Sequence, residues 1–240
     1  MKLDGNQVLY QILKEKNVDL LQFIIESCFF STQESVTRDK NEMLQNIDNE
    51  IPLFIRHKSK INEIIKKSDK KSISKKQLAL KYQENNELFY KIQDKKIRIK
   101  FDSDGNYEIK KKIKRNTSFG ISSGKKTSDL INFKISHIWD KTSHPMYFSS
   151  LWNIIIVPQC LDHFIDDKNI NINHDCFPGK ILNTKMFFKA LVTVLYDLEI
   201  HKVQNSTYFE SEEIPQDYKL FAKSYIDKIK YFNEIQQIII

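Results

Sequence analysis

Between Phe133 and His163 the sequence gathers side chains suited to hydrolytic chemistry. In order they run Phe133-Lys134-Ile135-Ser136-His137-Ile138-Trp139, Ser143-His144-Pro145-Met146-Tyr147-Phe148, Trp152-Asn153-Ile154-Ile155-Ile156-Val157-Pro158 and Cys160-Leu161-Asp162-His163. An imidazole, with an ordinary pKa of about 6.5, can take a proton from water near neutral pH. A carboxylate or a second imidazole can ligate a divalent cation. A carboxamide offers both a donor and an acceptor, and can brace a loop. The apolar pattern reads as a strand ending in His137, a polar loop, a second strand opened by Asn153, and a helix that presents Asp162 and His163.

This order and spacing resemble the HNH, or ββα-metal, nucleases over about 35 residues. The His-Ile-Trp, His-Pro, Phe, Trp-Asn-Ile and Pro run is similar to HNH-like segments of bacterial restriction endonucleases and phage-linked nucleases. The resemblance implies that His137 is the general base and Asn153 the residue that holds the loop. Asp162 is the nearest match to the metal ligand on the helix, with His163 as the alternative. A lone histidine on an apolar strand is ordinarily a core residue; Asn153 and Asp162 at the family's spacing reverse that reading. The implied reaction is hydrolysis of phosphodiester bonds in duplex DNA, assisted by a divalent metal of the Mg2+ class, with Mn2+ as the alternative. One position departs from the pattern: Ser136 stands where the family commonly has a metal-binding acid or second histidine, and Ser136, Asp140 or another carboxylate would have to complete the site. That departure favours a competing expectation, a non-catalytic DNA-binding protein with a degenerate ββα segment. A structural Zn2+ site from His144, Cys160, His163, His174 or Cys176 is not expected, because no pair has diagnostic spacing.

Two other motifs fail on spacing. Gly120-Ile-Ser-Ser-Gly124-Lys125-Lys126-Thr127 has three residues between its glycines instead of four, and Lys126 where a magnesium-ligating hydroxyl belongs. Asp102-Ser-Asp104-Gly105-Asn106 opens like a calcium loop, but the glycine comes early and the twelfth position is Ile113.

Around these residues the periodicity predicts an α+β protein: a mainly helical chain with a basic hairpin module and a small ββα unit. Val8, Leu9, Ile12 and Leu13, then Leu20, Leu21, Ile24, Ile25 and Cys28, mark two amphipathic helices broken near Asn17, with Asp19 or Asn17 as cap. A third helix is expected over 33–47 and a fourth after Pro52. Lys75–Tyr82 reads as a short helix, with another opened by Asn85 or Asn86 and running through Leu88, Phe89 and Ile92. Ile97, Ile99 and Phe101, a turn at 102–106, and Tyr107, Ile109 and Lys111 then read as a hairpin. Helix, helix and hairpin together resemble a winged helix. The expected division is therefore a helical region 1–114 ending in that DNA-binding module, a linker 115–130 rich in Ser, Thr, Gly and Lys, and an HNH-like unit with C-terminal helices over 131–240. A buried helix over 181–202 and a last one over 216–237 are expected.

The charge is concentrated. The whole chain carries a net +7, yet Arg56–Lys126 holds 22 Lys and Arg against 8 Asp and Glu, while the remainder is acidic by 7. Such a block is what neutralising nucleic-acid phosphates requires. Lys75, Lys76, Arg98, Lys110, Lys111, Lys112, Lys114 and Arg115 are the expected DNA contacts, and a homodimer cutting both strands is an expectation of the restriction-type reading. Five Gly and five Pro in 240 residues disfavour Gly-rich nucleotide cradles and many-turned sandwiches. No apolar run approaches the roughly 20 residues of a bilayer-spanning helix. The polar N-terminal residues and three cysteines without CxxC spacing fit a cytoplasmic protein.

Overall fold

The computed structural model describes residues 5–56, 75–92, 95–102, 106–117, 120–122, 130–166, 169–172, 180–198, 213–232 and 234. Helices α1 (Gly5–Glu15) and α2 (Leu20–Ser27) are separated where Asn17 adopts a positive φ of 54°. The amides of Asn17 and Val18 close back onto the carbonyls of Lys14 and Leu13, which ends the helix in a Schellman turn. Asp19 caps α2 by accepting from the Gln22 amide at 3.0 Å. After the two-residue strand β1 (Phe29–Phe30), Thr32 caps α3 (Gln33–Asp48). The buried stripe of α3 is Val36, Asp39 and Met43, so one carboxylate lies on its inner face.

The basic third of the chain folds differently from its expected reading. Leu53–Ile55, after Pro52, is strand β2 and not a helix, because Leu53 and Ile55 face inward and pair in parallel with Ile99 and Phe101. Helix α4 (Lys75–Asn85) is followed by strand β3 (Leu88–Ile92), where a second helix was expected. Alternation of half-buried Leu88, Tyr90 and Ile92 with exposed Phe89 and Lys91 matches the pleat, and β3 pairs antiparallel with β4 (Lys95–Phe101). The hairpin is thus β3–β4, one strand earlier than expected. Tyr107–Thr117 is helix α5, not a strand. Its first turn is capped by Asp102, whose carboxylate accepts from the amides of Tyr107 at 3.0 Å and Glu108 at 2.8 Å, and Ile109 and Ile113 bury at helical spacing. The winged-helix arrangement is therefore absent from these described residues.

The described residues of the expected linker belong mostly to regular elements. Residues 115–117 finish α5, and β5 (Ile121–Ser122) pairs in parallel with β6 (Leu130–Ile131). Residues 118–119 and 123–129, including most of the rejected phosphate-loop motif, lie outside the described residues, as do 103–105 of the rejected calcium loop.

Then follow β7 (Phe133–His137), α6 (Pro145–Phe148), a 3-10 turn at Leu151–Asn153, β8 (Ile154–Pro158) and the four-residue α7 (Asp162–Ile165). Strands β9 (Asn169–Ile172) and β10 (Lys180–Asn183) form a hairpin, so residues 181–183 of the expected buried helix are strand, paired with Asn171, Ile170 and Asn169, and helix α8 spans Thr184–Leu195. Helix α9 (Gln216–Lys223) ends well short of 237, giving way to a 3-10 turn at Ile226–Lys228 and β11 (Lys230–Tyr231).

The central sheet has the order β11-β1-β8-β7. Ile154, Ile155, Ile156 and Val157 of β8 are fully buried, as an interior strand covered on both faces requires. Strand β1, from the N-terminal region, lies between β8 and β11, antiparallel to the first and parallel to the second. One buried cluster runs from Leu20 through Ile97, Ile109 and Ile113 to Phe232, so described residues on both sides of 115–130 share a core. Among the described residues, no helix is long and apolar enough to cross a membrane.

Candidate active site

His137 ends β7 and sits opposite Ile154 of β8. Its ring stacks on Phe148 with centroids 5.7 Å apart and planes 11° from parallel. Nε2 lies 3.0 Å from the carbonyl oxygen of Phe148 at the end of α6, where helix geometry leaves carbonyls without an internal partner. A carbonyl only accepts, so this contact places the hydrogen on Nε2 and leaves Nδ1 as the basic nitrogen of the neutral ring. Burial, and next the Arg56 guanidinium, lower the imidazole pKa to about 4, against the opposing pull of the Phe148 carbonyl and Asp140. The ring is neutral at pH 7, the state a proton acceptor needs.

Asn153 follows from the local fold: it closes the 3-10 turn before β8, with its amide N–H donating to the Ser150 carbonyl. The residue is 0% exposed. Its Oδ1 accepts from the Trp139 amide at 2.7 Å, and its Nδ2 donates to the carbonyls of Tyr147 at 2.8 Å and Trp139 at 3.3 Å. Its own carbonyl accepts from Ile138 at 2.9 Å. The carboxamide therefore ties Trp139 to the helix that carries Phe148, while the backbone carbonyl of the same residue holds Ile138. Trp139, Tyr147 and Trp152 pack edge to face around it. The structure brings His137 and Asn153 together at one end of the β7–β8 pair.

The helix residues are placed elsewhere. Asp162 opens α7, and its carboxylate pairs with Lys134 Nζ at 2.8 Å. Lys134 is three residues before His137 in β7, so pleating sends the two side chains to opposite faces. His163 packs edge-on against Phe164. Ser136 is buried and alternates away from His137. Asp140 is bound to Lys185. Asp166 titrates above the ordinary carboxylate range because of burial and then the nearby Asp162, opposed by Lys185.

This donor set does not fit a divalent ion as it stands. Among the described residues no group of three or more His, Cys, Asp or Glu side chains is placed to hold a metal. Two of the carboxylates already neutralise lysines. Of the zinc candidates, Cys160 is exposed, and His144 is buried as the cap of α6, accepting from the Met146 amide at 3.2 Å. His174 and Cys176 lie outside the described residues.

The expected DNA contacts divide into three kinds. Lys75 and Lys76 open α4, and Arg98 in β4 is paired with Glu87. Lys110, Lys111, Lys114 and Arg115 lie exposed with Tyr107 at i, i+3, i+4, i+7 and i+8, one continuous face of α5. Lys111 is 3.8 Å from Glu108, and Arg115 is 3.5 Å from Glu42. Lys112 corrects the expectation. Only 9% exposed, it pairs with Asp39 at 2.6 Å and donates to the Ser149 carbonyl at 2.9 Å, so its charge is consumed inside the protein. Asp39 also accepts from the Leu151 amide at 3.0 Å. The pair thereby clamps the turn leading into Asn153. A charged residue at helical spacing between Val36 and Met43 is the signal that could have revealed Asp39.

Arg56 is the second residue that sequence reasoning missed, although it opens the basic block. It leaves the end of β2, its amide donates to the Thr142 carbonyl at 2.9 Å, and its guanidinium carbon is 6.0 Å from the centroid of the Phe148 ring. Its Nη2 donates to Asn106 Oδ1 at 3.1 Å.

A family model described as uncharacterised protein PM1201 matches residues 31–238, a span that contains every residue of this site. No curated protein and no solved structure matches the chain.

Proposed function

The chain belongs to the family described as uncharacterised protein PM1201, and for it we propose phosphodiester hydrolysis: an HNH-type endonuclease acting on duplex DNA. The observation that carries this reading is His137, whose Nε2–H is directed at the Phe148 carbonyl so that Nδ1 is the basic nitrogen of the neutral ring, at the mouth of a loop that Asn153 braces through three hydrogen bonds. In that role Nδ1 takes a proton from water. The water oxygen forms a bond to phosphorus as the opposite ester bond breaks, and the leaving oxygen is protonated from solvent. Asn153 acts by positioning, since a shift of the 138–148 loop would move the Phe148 carbonyl and with it the ring. The exposed cations of α5 supply the electrostatic attraction for the DNA backbone.

The resemblance implies a magnesium-class ion. Binding one at Asp162 or Asp140 would first have to break the ion pairs with Lys134 and Lys185. Plasmid cleavage is therefore measured with magnesium, with manganese and with EDTA. Replacing His137 by Ala is expected to slow cleavage by about 10²–10⁴, the usual contribution of a positioned general base. Equal cutting by H137A and wild type overturns the assignment.

A second reading, DNA binding without cleavage, is favoured by Ser136 and by the lysine-paired Asp162. It predicts strongly salt-dependent DNA affinity and intact plasmid under all three metal conditions.

A further inference from the structure

A phosphodiester cannot be attacked efficiently unless its negative charge is met by positive charge or hydrogen-bond donors. The carboxylates of Asp162 and Asp140 are already paired with lysines, so a cationic side chain is the group placed to meet that charge. The basic side chains around the hairpin are mostly engaged: Lys134 with Asp162, Lys185 with Asp140, Lys112 with Asp39, Arg98 with Glu87 and Arg115 with Glu42.

Arg56 differs from all of these. Among the described residues it forms no ion pair; Asp102 and Asp140 act on it through space, while Asp102 itself is turned to the first amides of α5 and Asp140 to Lys185. Its partner is neutral, the Asn106 carboxamide oxygen, and one such bond leaves most of the five guanidinium N–H donors available. The side chain is half-buried, and a partly desolvated cation without a counter-ion is costly unless an anion completes it. Arg56 and His137 both pack against Phe148. The guanidinium carbon lies 6.0 Å and the His137 ring centroid 5.7 Å from the same phenyl centroid. Two backbone ties hold this end of β2: Arg56 N–H to the Thr142 carbonyl in the loop after His137, and Asp102 N–H to the Ile55 carbonyl. Asn106, which receives the guanidinium, immediately precedes the exposed basic face of α5, so a polyanion lying along α5 runs towards Arg56.

We propose that Arg56 is the phosphate-binding residue of the His137 site, gripping the phosphodiester through paired N–H donors while His137 addresses the attacking water. The identity of the ligand rests on the nuclease reading; the existence of an anion site between Arg56 and His137 does not. A planar guanidinium suits this task better than an ammonium, because two parallel donors match two phosphate oxygens.

The test uses the full chain and thymidine 3′,5′-bisphosphate as probe, titrated calorimetrically into wild type, Arg56→Met and Arg56→Lys. Binding to wild type, about tenfold weaker in Arg56→Met and intermediate in Arg56→Lys, is the expected result. In wild type the His137 ring-proton resonances are expected to move as the probe is added, which a remote or merely structural arginine would not cause. Unchanged affinity in Arg56→Met, or His137 resonances that stay still while the probe binds, overturns the proposal. Should Arg56→Met fail to fold, the wild-type resonances and the Lys variant still decide it. The nuclease reading fails separately: an Arg56-dependent bisphosphate site in a protein that leaves plasmid intact supports the anion site and removes the cleavage.

Discussion

In the loop between β7 and β8 the carboxamide of Asn153 is spent inside the protein, whereas on α5 four of the five cations that follow Glu108 face solvent. The first region is a buried polar network, in which an unmatched donor or acceptor carries its full desolvation cost. The second is a charged surface whose members contribute little to folding and remain available to an anionic partner. Lys112 is where the two meet. It is a member of the α5 cation run by sequence, but a member of the loop network by contact.

The largest effect that would break this contrast is expected at Asn153. Asn153→Ala leaves the Trp139 amide and the carbonyls of Trp139 and Tyr147 unpaired in a buried site, and should cost about 3–5 kcal/mol in urea unfolding. A loss below about 1 kcal/mol would mean that the loop is held by its aromatic packing instead. Next comes Lys112→Met, which strands the Asp39 carboxylate in a nearly dry environment. A loss of about 3 kcal/mol is expected, with much of it recovered in the double variant Asp39→Leu/Lys112→Met. If Lys112→Met proves as mild as Lys111→Met, Lys112 belongs with its exposed neighbours after all.

How these regions could be read beforehand differs for the same reason. The strands of the β7–β8 segment were legible because their determinants are local: an apolar run fixes β8 and Asn153 sits at its junction, whereas α6, capped by His144, falls where a polar loop was expected. Within the basic third two templates overlap. Leu88, Phe89 and Ile92 fit a helix as well as Leu88, Tyr90 and Ile92 fit a strand, and the partner strand β4 decides. Ile109 and Ile113 fit either period, and what decides is a cap from Asp102, placed before the turn and not at the helix start. Pairing of the two-residue β1 with β8 and β11 is wholly non-local, and no short-range pattern announces it. Counting charge along the chain could not separate Lys112 from Lys111, since only the packing of α5 against α3 and the 149–151 turn does so. That His137 and Asn153 lie at one end of the β7–β8 pair was legible; the placement of Arg56 was not, because its contacts are with the distant Phe148 and Asn106.

A smaller effect belongs to His137. Its folded pKa of about 4 lies below the ordinary 6.5, so between those values the unfolded chain binds the extra proton. Stability from this residue is complete above pH 6.5 and drains away as the pH falls towards 4, by at most about 3 kcal/mol. His137→Ala should flatten that part of the stability profile. An unchanged slope between pH 6.5 and 4 would show that the ring titrates in the native state as it does in the unfolded chain, without the depression that burial and Arg56 impose. Arg56→Met should raise the imidazole pKa, because the guanidinium is one of the causes of its depression.

The smallest effect on folding, and the sharpest separation of the two regions, is expected on the outer face of α5. Replacing Lys110, Lys111, Lys114 and Arg115 by Gln removes four exposed charges with only the partners Glu108 and Glu42 at the surface, so stability should change by no more than about 0.5 kcal/mol per position. DNA affinity should respond out of proportion. Each phosphate that is no longer neutralised lowers the slope of log K against log salt by roughly 0.9, and four would take away more than about 3. The buried control, Lys112→Met, should keep the wild-type slope in whatever fraction stays folded, because its ammonium never faces the polyanion. A quadruple variant that keeps the full salt dependence would place the phosphate-binding cations elsewhere in the basic block, and the availability of the α5 charges would then have no bearing on what the protein binds.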